Sequence, residues 1–318
     1  MKDSFGREIK YARISITDLC NLRCKYCMPE EGIRKKACSE ILNIEDYVII
    51  AKALVDLGIE KIRITGGEPL VRKGLLSLVR QIGAIEGLKN LAITTNGILL
   101  PKYGEELYKA GIKNVNISLD SLDPEKYKDI TRGGNLSDVL AGIENSIELG
   151  FEKVKINVVL IQDFNDDEIE KFVRLTEKKP IDVRFIELMP FKGQHELALG
   201  KYLPGDVVLE KVPDLQAIDD EDSSSPARYY KLEGALGRVG LINPLSHKFC
   251  DRCNRLRITA DGFILSCLHS RKEIDLKGSL DDPDKLKELI LKSINEKPLS
   301  HNLEKGELMD RDMINIGG

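Results

Sequence analysis

The chain has no tryptophan, only 5% aromatic residues, and no apolar run near the ~18–20 residues that a membrane span requires. Its first ten residues, Met1 to Lys10, lack the apolar stretch of a secretory signal, so the expected compartment is the cytoplasm. An excess of either charge is also missing: 48 Lys and Arg against 52 Asp and Glu leave a net charge of −4. That balance argues against nucleic acid or an anionic membrane surface as the main partner, and any anionic ligand needs a local basic cluster. With 26 Gly and 12 Pro in 318 residues the chain is neither collagenous nor of low complexity, and 42% hydrophobic residues supply a globular core. No P-loop and no Ser-His-Asp pattern is visible, and His195, His247, His269 and His301 show no spacing that requires a metal.

What is present is an odd and uneven set of seven cysteines. Cys20, Cys24 and Cys27 form a C-x3-C-x2-C near the start; Cys250, Cys253 and Cys267 form a C-x2-C-x13-C near the end; Cys38 stands alone and reads as a free thiol. A disulfide framework does not fit this pattern in a reducing compartment, whereas two thiolate trios fit two metal centres. Three thiolates on a 4Fe-4S cube leave one iron without a protein ligand and open to a small molecule. A zinc site completed by a distant side chain is the alternative for either trio, with His247 or His269 as the fourth ligand of the second.

Short β-branched runs alternate with helical periodicity. Strands are expected at Ala12–Thr17, Lys61–Thr65, Asn90–Thr94, Asn114–Leu119, Val154–Leu160 and Asp182–Glu187. Helices are expected at Glu45–Leu57, Lys73–Ile85, Lys102–Ala110, Asn135–Leu149 and Asp166–Lys178, with Gly58, Gly87, Gly111 and Gly150 at helix ends. About six βα units imply parallel strands, as a doubly wound sheet or a barrel, with chemistry at the strand C-termini. Asp214–Pro226, acidic and Ser-rich, reads as a mobile linker or surface loop. Beyond it, strands at Arg228–Leu232, Arg238–Leu241, Arg255–Thr259 and Phe263–Ser266 and a helix at Pro283–Asn295 suggest a smaller α+β unit, dividing the chain at 1–227 and 228–318.

The C-x3-C-x2-C with Tyr26 before its last cysteine, followed one βα unit later by Gly66-Gly67-Glu68-Pro69, resembles the radical S-adenosylmethionine (SAM) superfamily. The resemblance implies an incomplete (β/α)6 barrel, a 4Fe-4S cluster on Cys20, Cys24 and Cys27, and cleavage of SAM to methionine and a 5′-deoxyadenosyl radical. Tyr26, Gly67, Ser118 and Met189 match the superfamily's SAM-contacting positions. The segment Phe249 to Arg257 with Cys267, and the terminal Gly317-Gly318, resemble the GTP 3′,8-cyclase family of molybdenum cofactor biosynthesis. That resemblance implies a second 4Fe-4S cluster on Cys250, Cys253 and Cys267, facing the guanine of GTP. It assigns GTP contacts to Arg13, Arg63, Thr94, Lys155, Arg255, Leu256 and Arg257, with Lys61 and Arg184 as further candidates. The implied partners are GTP, SAM, a low-potential electron donor and a second copy of the chain in a homodimer.

Overall fold

The computed structural model describes residues 1–34, 36–191, 198, 200–220, 224–303 and 308–317. His195, Gly318 and the Cys38 side chain lie outside what it describes.

Six strands pair side by side in chain order, all parallel: β1 (Tyr11–Ser15), β2 (Lys61–Thr65), β3 (Asn90–Thr95), β4 (Asn114–Ser118), β5 (Lys153–Leu160) and β6 (Ile181–Glu187). The connecting helices are α1 (Ile44–Asp56), α2 (Leu75–Gly83), α3 (Leu100–Lys109), α4 (Pro124–Thr131), α5 (Leu136–Glu148) and α6 (Ile169–Lys178). Helix α1 starts at a capping box: the Asn43 side chain accepts from Asp46 N, and the Asp46 carboxylate accepts from Asn43 N. Gly58, Gly87, Gly111 and Gly150 all carry positive φ just beyond helices, which lets each helix turn into the next strand.

Helix α4 was not foreseen, although Asp123-Pro124 is a helix-start signal: the Asp123 carboxylate accepts from Glu125 N and Lys126 N. Its C-terminal end holds the first cysteine loop. Arg23 N and Lys25 N donate to the Thr131 and Ile130 carbonyls, and Arg132 Nη1 donates back to the carbonyls of Arg23 and Met28 at 2.9 Å each.

The later elements are α7 (Val207–Lys211), β7 (Gln216–Ile218), β8 (Ala227–Lys231), β9 (Arg238–Ile242), β10 (Arg255–Ile258), β11 (Phe263–Leu265), β12 (Ile274–Asp275), α8 (Pro283–Asn295) and α9 (Met313–Ile316). The strands beyond residue 227 do not make a sheet of their own. β10 adds in parallel to the free edge of β1 and β9 to that of β6, giving one sheet of order β12-β11-β10-β1-β2-β3-β4-β5-β6-β9-β8-β7. Asp214–Pro226, expected as a mobile linker or surface loop, lies at the surface but carries an edge strand, β7, which pairs with β8, and Ser224–Pro226 pack against the central cavity.

Alternation along the strands separates two faces. Ala12, Ile14, Ile62, Ile64, Val115, Ile117, Ile156, Val158, Val183 and Phe185 point outward into the core beneath the helices, where each large side chain contributes about 1.5–3 kcal/mol of burial. Side chains of β1, β2, β4, β5, β6, β9 and β10 on the other face line one cavity, so the sheet curves around it. Among the described strands its outermost members, β12 and β7, do not pair with each other. Among the described residues no helix is long and apolar enough to cross a membrane.

Candidate active site

The cavity has a volume of about 250 Å³. Its wall is basic because the period-two alternation of three adjacent strands is in register. Arg13 on β1 stands level with Arg63 on β2 and Arg257 on β10, while Tyr11 stands level with Lys61 and Arg255. Lys155 and Arg184 face these rungs from β5 and β6. Arg184 is seated by two hydrogen bonds to Asn157 Oδ1, at 3.1 and 2.6 Å, and has room because Gly240 lies beside it on β9. Burial, then Arg184, pushes the Lys155 ammonium down to about 7. Burial and Arg257 lower Arg13 as well, but a guanidinium stays charged at any physiological pH.

Both cysteine loops reach this cavity through the residues beside their thiols. Tyr26, between Cys24 and Cys27, lines it from one side; Phe249, Asn254 and Leu268, neighbours of Cys250, Cys253 and Cys267, line it from the other. All six of these thiols are unpaired and partly exposed. Cys24 is pushed up by burial and by the charges of Cys27, Asp120 and Cys20, and burial moves Cys20 up to about 11. Thiols that raise one another lie close together and become stable thiolates only around a cation. The second trio differs. Burial would raise Cys253, but Lys297, Arg255 and Arg7 outweigh it and hold that thiol below its ordinary value. The N-terminal segment contributes directly, since the buried Arg7 donates to the Cys250 carbonyl at 2.7 Å.

The radical SAM superfamily profile matches residues 14–176, and the Molybdenum Cofactor Synthesis C profile matches residues 181–303. A protein of Peptoclostridium acidaminophilum named GTP 3′,8-cyclase is 56% identical over 317 residues, 99% of this chain and 98% of its own length. The chain belongs to the GTP 3′,8-cyclase family. A second relative of that name, from Alkaliphilus oremlandii, is 53% identical along the whole of both chains. Among solved structures, Streptococcus suis SuiB bound to S-adenosylmethionine superposes with a TM-score of 0.64 at 18% identity, covering 87% of this chain. This chain spans 65% of SuiB, and at that identity the likeness speaks for the fold alone.

Most positions that the family resemblance nominates converge on the cavity. Arg13, Arg63, Lys155, Arg255, Arg257, Tyr26 and Met189 line it, as do the further candidates Lys61 and Arg184. Thr94 stands behind Arg63 and accepts from its Nη1 at 3.4 Å. Ser118, half-buried, closes β4 beside Asn157. Leu256 is the exception: it points the opposite way from Arg255 and Arg257 and is fully buried in the hydrophobic core, so its side chain cannot reach a ligand in the cavity.

Of the two histidines weighed as a fourth zinc ligand, His247 is engaged by a carboxylate, whereas both ring nitrogens of His269 are buried without a partner. His247 Nε2 is 2.8 Å from Asp206 Oδ2, and His269 packs against the Phe191 ring with centroids 5.0 Å apart. Among the described residues no group of three or more His, Cys, Asp and Glu, the two cysteine trios included, is packed as a metal site, so the fit rests on donor chemistry. Three clustered thiols in one loop, with no histidine or carboxylate added, are the donor set of an iron-sulfur cluster, and in this respect the residues present fit one.

The Gly-Gly-Glu-Pro segment is fixed by its glutamate. Glu68 is fully buried, its carboxylate accepts from Leu70 N, Thr95 Oγ1 and Asn96 N at 2.9, 2.8 and 2.7 Å, and burial pushes it up to about 7. Gly67 is required by contact, since a Cβ there would lie 2.4 Å from the Leu19 carbonyl oxygen, on the segment that leads into Cys20. Gly67→Ala is therefore expected to lower the thermal midpoint by several degrees, for a strain of about 1–3 kcal/mol. It should also weaken SAM binding roughly tenfold, read by calorimetric titration of the anaerobic protein; unchanged SAM affinity would separate this turn from the SAM site.

Sequence reasoning missed Tyr11, Asn116 and Asn157 in the cavity wall. The signal was available, because each lies two residues from a nominated position on the same strand face: Tyr11 from Arg13, Asn116 from Ser118 and Asn157 from Lys155. Ser224–Pro226, Met313 and the bond from Arg257 Nη1 to the Gly317 carbonyl at 2.6 Å had no local signal, since they depend on where distant chain comes to rest.

Proposed function

We propose that the protein is a radical SAM GTP 3′,8-cyclase, a lyase that converts GTP to (8S)-3′,8-cyclo-7,8-dihydroguanosine 5′-triphosphate in the first step of molybdopterin biosynthesis. The observation that carries this is the meeting of two three-cysteine loops at one cavity walled by in-register cations. One trio alone would fit many radical enzymes. Two trios beside a polyanion-sized basic wall fit a nucleotide triphosphate held between two clusters. Cys20, Cys24 and Cys27 would hold one 4Fe-4S cluster and Cys250, Cys253 and Cys267 the other, with residues 1–227 forming the core and 228–318 the auxiliary unit. When bound, the clusters supply the electron that splits the SAM sulfonium and an open iron that grips the guanine.

This chain's own residues place the reactants. Gly67 brings backbone close to the SAM methionyl group, and Met189 and Ser118 border its site at the ends of β6 and β4. Tyr26 is locked by its hydroxyl, which donates to Asp120 Oδ2 at 2.6 Å, while Asp120 Oδ1 accepts from Val159 N. Arg13, Arg63, Lys155, Arg255 and Arg257 receive the triphosphate, arginine being suited by a planar fork that matches phosphate oxygens. The reaction needs no protein nucleophile, so its rate rests on holding the ribose 3′ carbon near the radical and near guanine C8. A low-potential electron donor and a homodimer complete the proposal.

The decisive experiment is anaerobic incubation with SAM, GTP and a reductant, with the nucleotide product identified by mass and NMR. The cyclised triphosphate is expected. Equal SAM cleavage with a peptide and no reaction of GTP would assign the protein instead to peptide modification. Arg257→Ala is expected to raise the GTP dissociation constant by on the order of ten- to a hundredfold, the worth of a charged hydrogen bond. An unchanged constant would remove Arg257 from the site.

A further inference from the structure

The cationic wall is a lattice of six positions on β10, β1 and β2, in rungs Arg257–Arg13–Arg63 and Arg255–Tyr11–Lys61. Five positions carry cations on strands about 5 Å apart, a spacing at which like charges repel strongly away from bulk water. The sixth, the middle of its rung, is Tyr11. Its hydroxyl oxygen accepts from Arg63 Nε at 2.5 Å, Lys61 Nζ lies 5.0 Å from its ring centroid and Arg63 Cζ 5.8 Å. We propose that Tyr11 is a removable counter-anion: its phenolate offsets one charge of this lattice while the cavity is empty, and it takes up a proton and turns into a hydrogen-bond donor when a polyphosphate enters. The nucleotide reading above supplies the ligand on which this rests.

The groups facing Tyr11 are Arg63 and Lys61 from β2, Arg13 from its own strand and Arg255 from β10. Burial opposes the phenolate, but these four cations outweigh it and bring the hydroxyl down to about 7. Burial pushes Tyr26, Tyr47, Tyr127 and Tyr229 the other way. A triphosphate engages the same cations and adds negative charge beside the ring, so the phenolate loses its support. Tyr11 then titrates higher in the complex than in the free protein. Above pH ~7 binding therefore takes up a proton, and affinity falls by up to roughly tenfold for each further pH unit. Lys155, also near 7 in the free protein, takes up a proton with the same sign, and that contribution survives in a Tyr11 variant.

The test uses anaerobic holoenzyme, with inorganic tripolyphosphate and GTP titrated separately between pH ~6.5 and ~8.5. Calorimetry in two buffers of different ionisation enthalpy counts the protons taken up, and ultraviolet difference spectra with tripolyphosphate follow the tyrosinate band. Loss of tyrosinate absorbance on adding tripolyphosphate at pH ~8.5 is expected, with wild type taking up about one proton more than Tyr11→Phe. Tyr11→Phe should bind no tighter than wild type at the acid end and several-fold tighter at the alkaline end. No tyrosinate loss in wild type overturns the proposal whether or not the variant folds, and so do parallel pH profiles for the two proteins. Binding of tripolyphosphate with tyrosinate loss but no binding of GTP would sink the nucleotide reading and leave Tyr11 standing. Failure of both ligands to bind would sink this inference as well.

Discussion

Cys24→Ser is expected to abolish reductive cleavage of SAM. The backbone around this residue does not depend on its sulfur: the Cys24 carbonyl accepts from Cys27 N at 2.9 Å and Met28 N at 3.2 Å, and the loop is clasped by α4 and Arg132. Serine keeps that turn and replaces a soft, ionisable donor with a hydroxyl that does not ionise near neutral pH, so iron loses one of three protein ligands. Release of 5′-deoxyadenosine, followed by chromatography after anaerobic reconstitution, should drop below detection. Iron and sulfide should fall together from about eight of each per chain to about four, because the second trio is untouched. Zinc without sulfide in the wild type would favour a structural metal site, and cleavage equal to wild type would contradict the assignment of the first trio.

Those cysteines were legible in the sequence as candidate ligands because their chemistry is local: three thiols lie within eight residues of one loop. The six parallel strands were legible for a related reason, since period-two runs and helix-ending glycines recur unit by unit. The sheet edges were not. The pairing of β10 with β1 joins Arg255 to Tyr11 across most of the chain, and no local pattern encodes it. Without that pairing Arg255 and Arg257 are two surface-like cations, and with it they continue the rungs begun by Arg13 and Arg63. Leu256 shows the limit of a motif match, because alternation turns its side chain to the reverse face from its two arginine neighbours and into the core. Composition at Asp214–Pro226, acidic and Ser-rich, reads as solvent-facing, and Asp214, Gln216, Ala217 and Asp219 are exposed, but it does not tell where the stretch ends. Asn254 Nδ2 donates to Ser224 Oγ at 2.8 Å and brings the end of that segment to the cavity wall. Tyr11 was passed over because the expected first strand began at Ala12, whereas β1 begins at Tyr11 and its register with β2 and β10 places that ring among cations.

Cys267→Ser should separate the two halves of the chemistry. Cys267 follows β11 on the side of the cavity opposite Tyr26, and its neighbour Leu268 lines the wall. Lys297 secures the approach from beneath, its buried ammonium donating to the carbonyls of Ser266 and Arg255, so the loop keeps its course when the sulfur is lost. The first trio, the Gly67 turn and the Tyr26–Asp120 bond belong to other segments and are not touched by the change. SAM cleavage should therefore persist within about tenfold of wild type, whereas cyclised nucleotide should fall on the order of a hundredfold or more, with 5′-deoxyadenosine forming uncoupled from product. The ratio of deoxyadenosine to cyclised product, from one anaerobic reaction, is the quantity to follow, because a general loss of folding lowers both and leaves the ratio alone. Loss of SAM cleavage as complete as in Cys24→Ser would mean that the trios act as one unit. Product formation at the wild-type rate would leave the second trio without a part in the reaction, and the cationic wall alone would then have to hold the nucleotide.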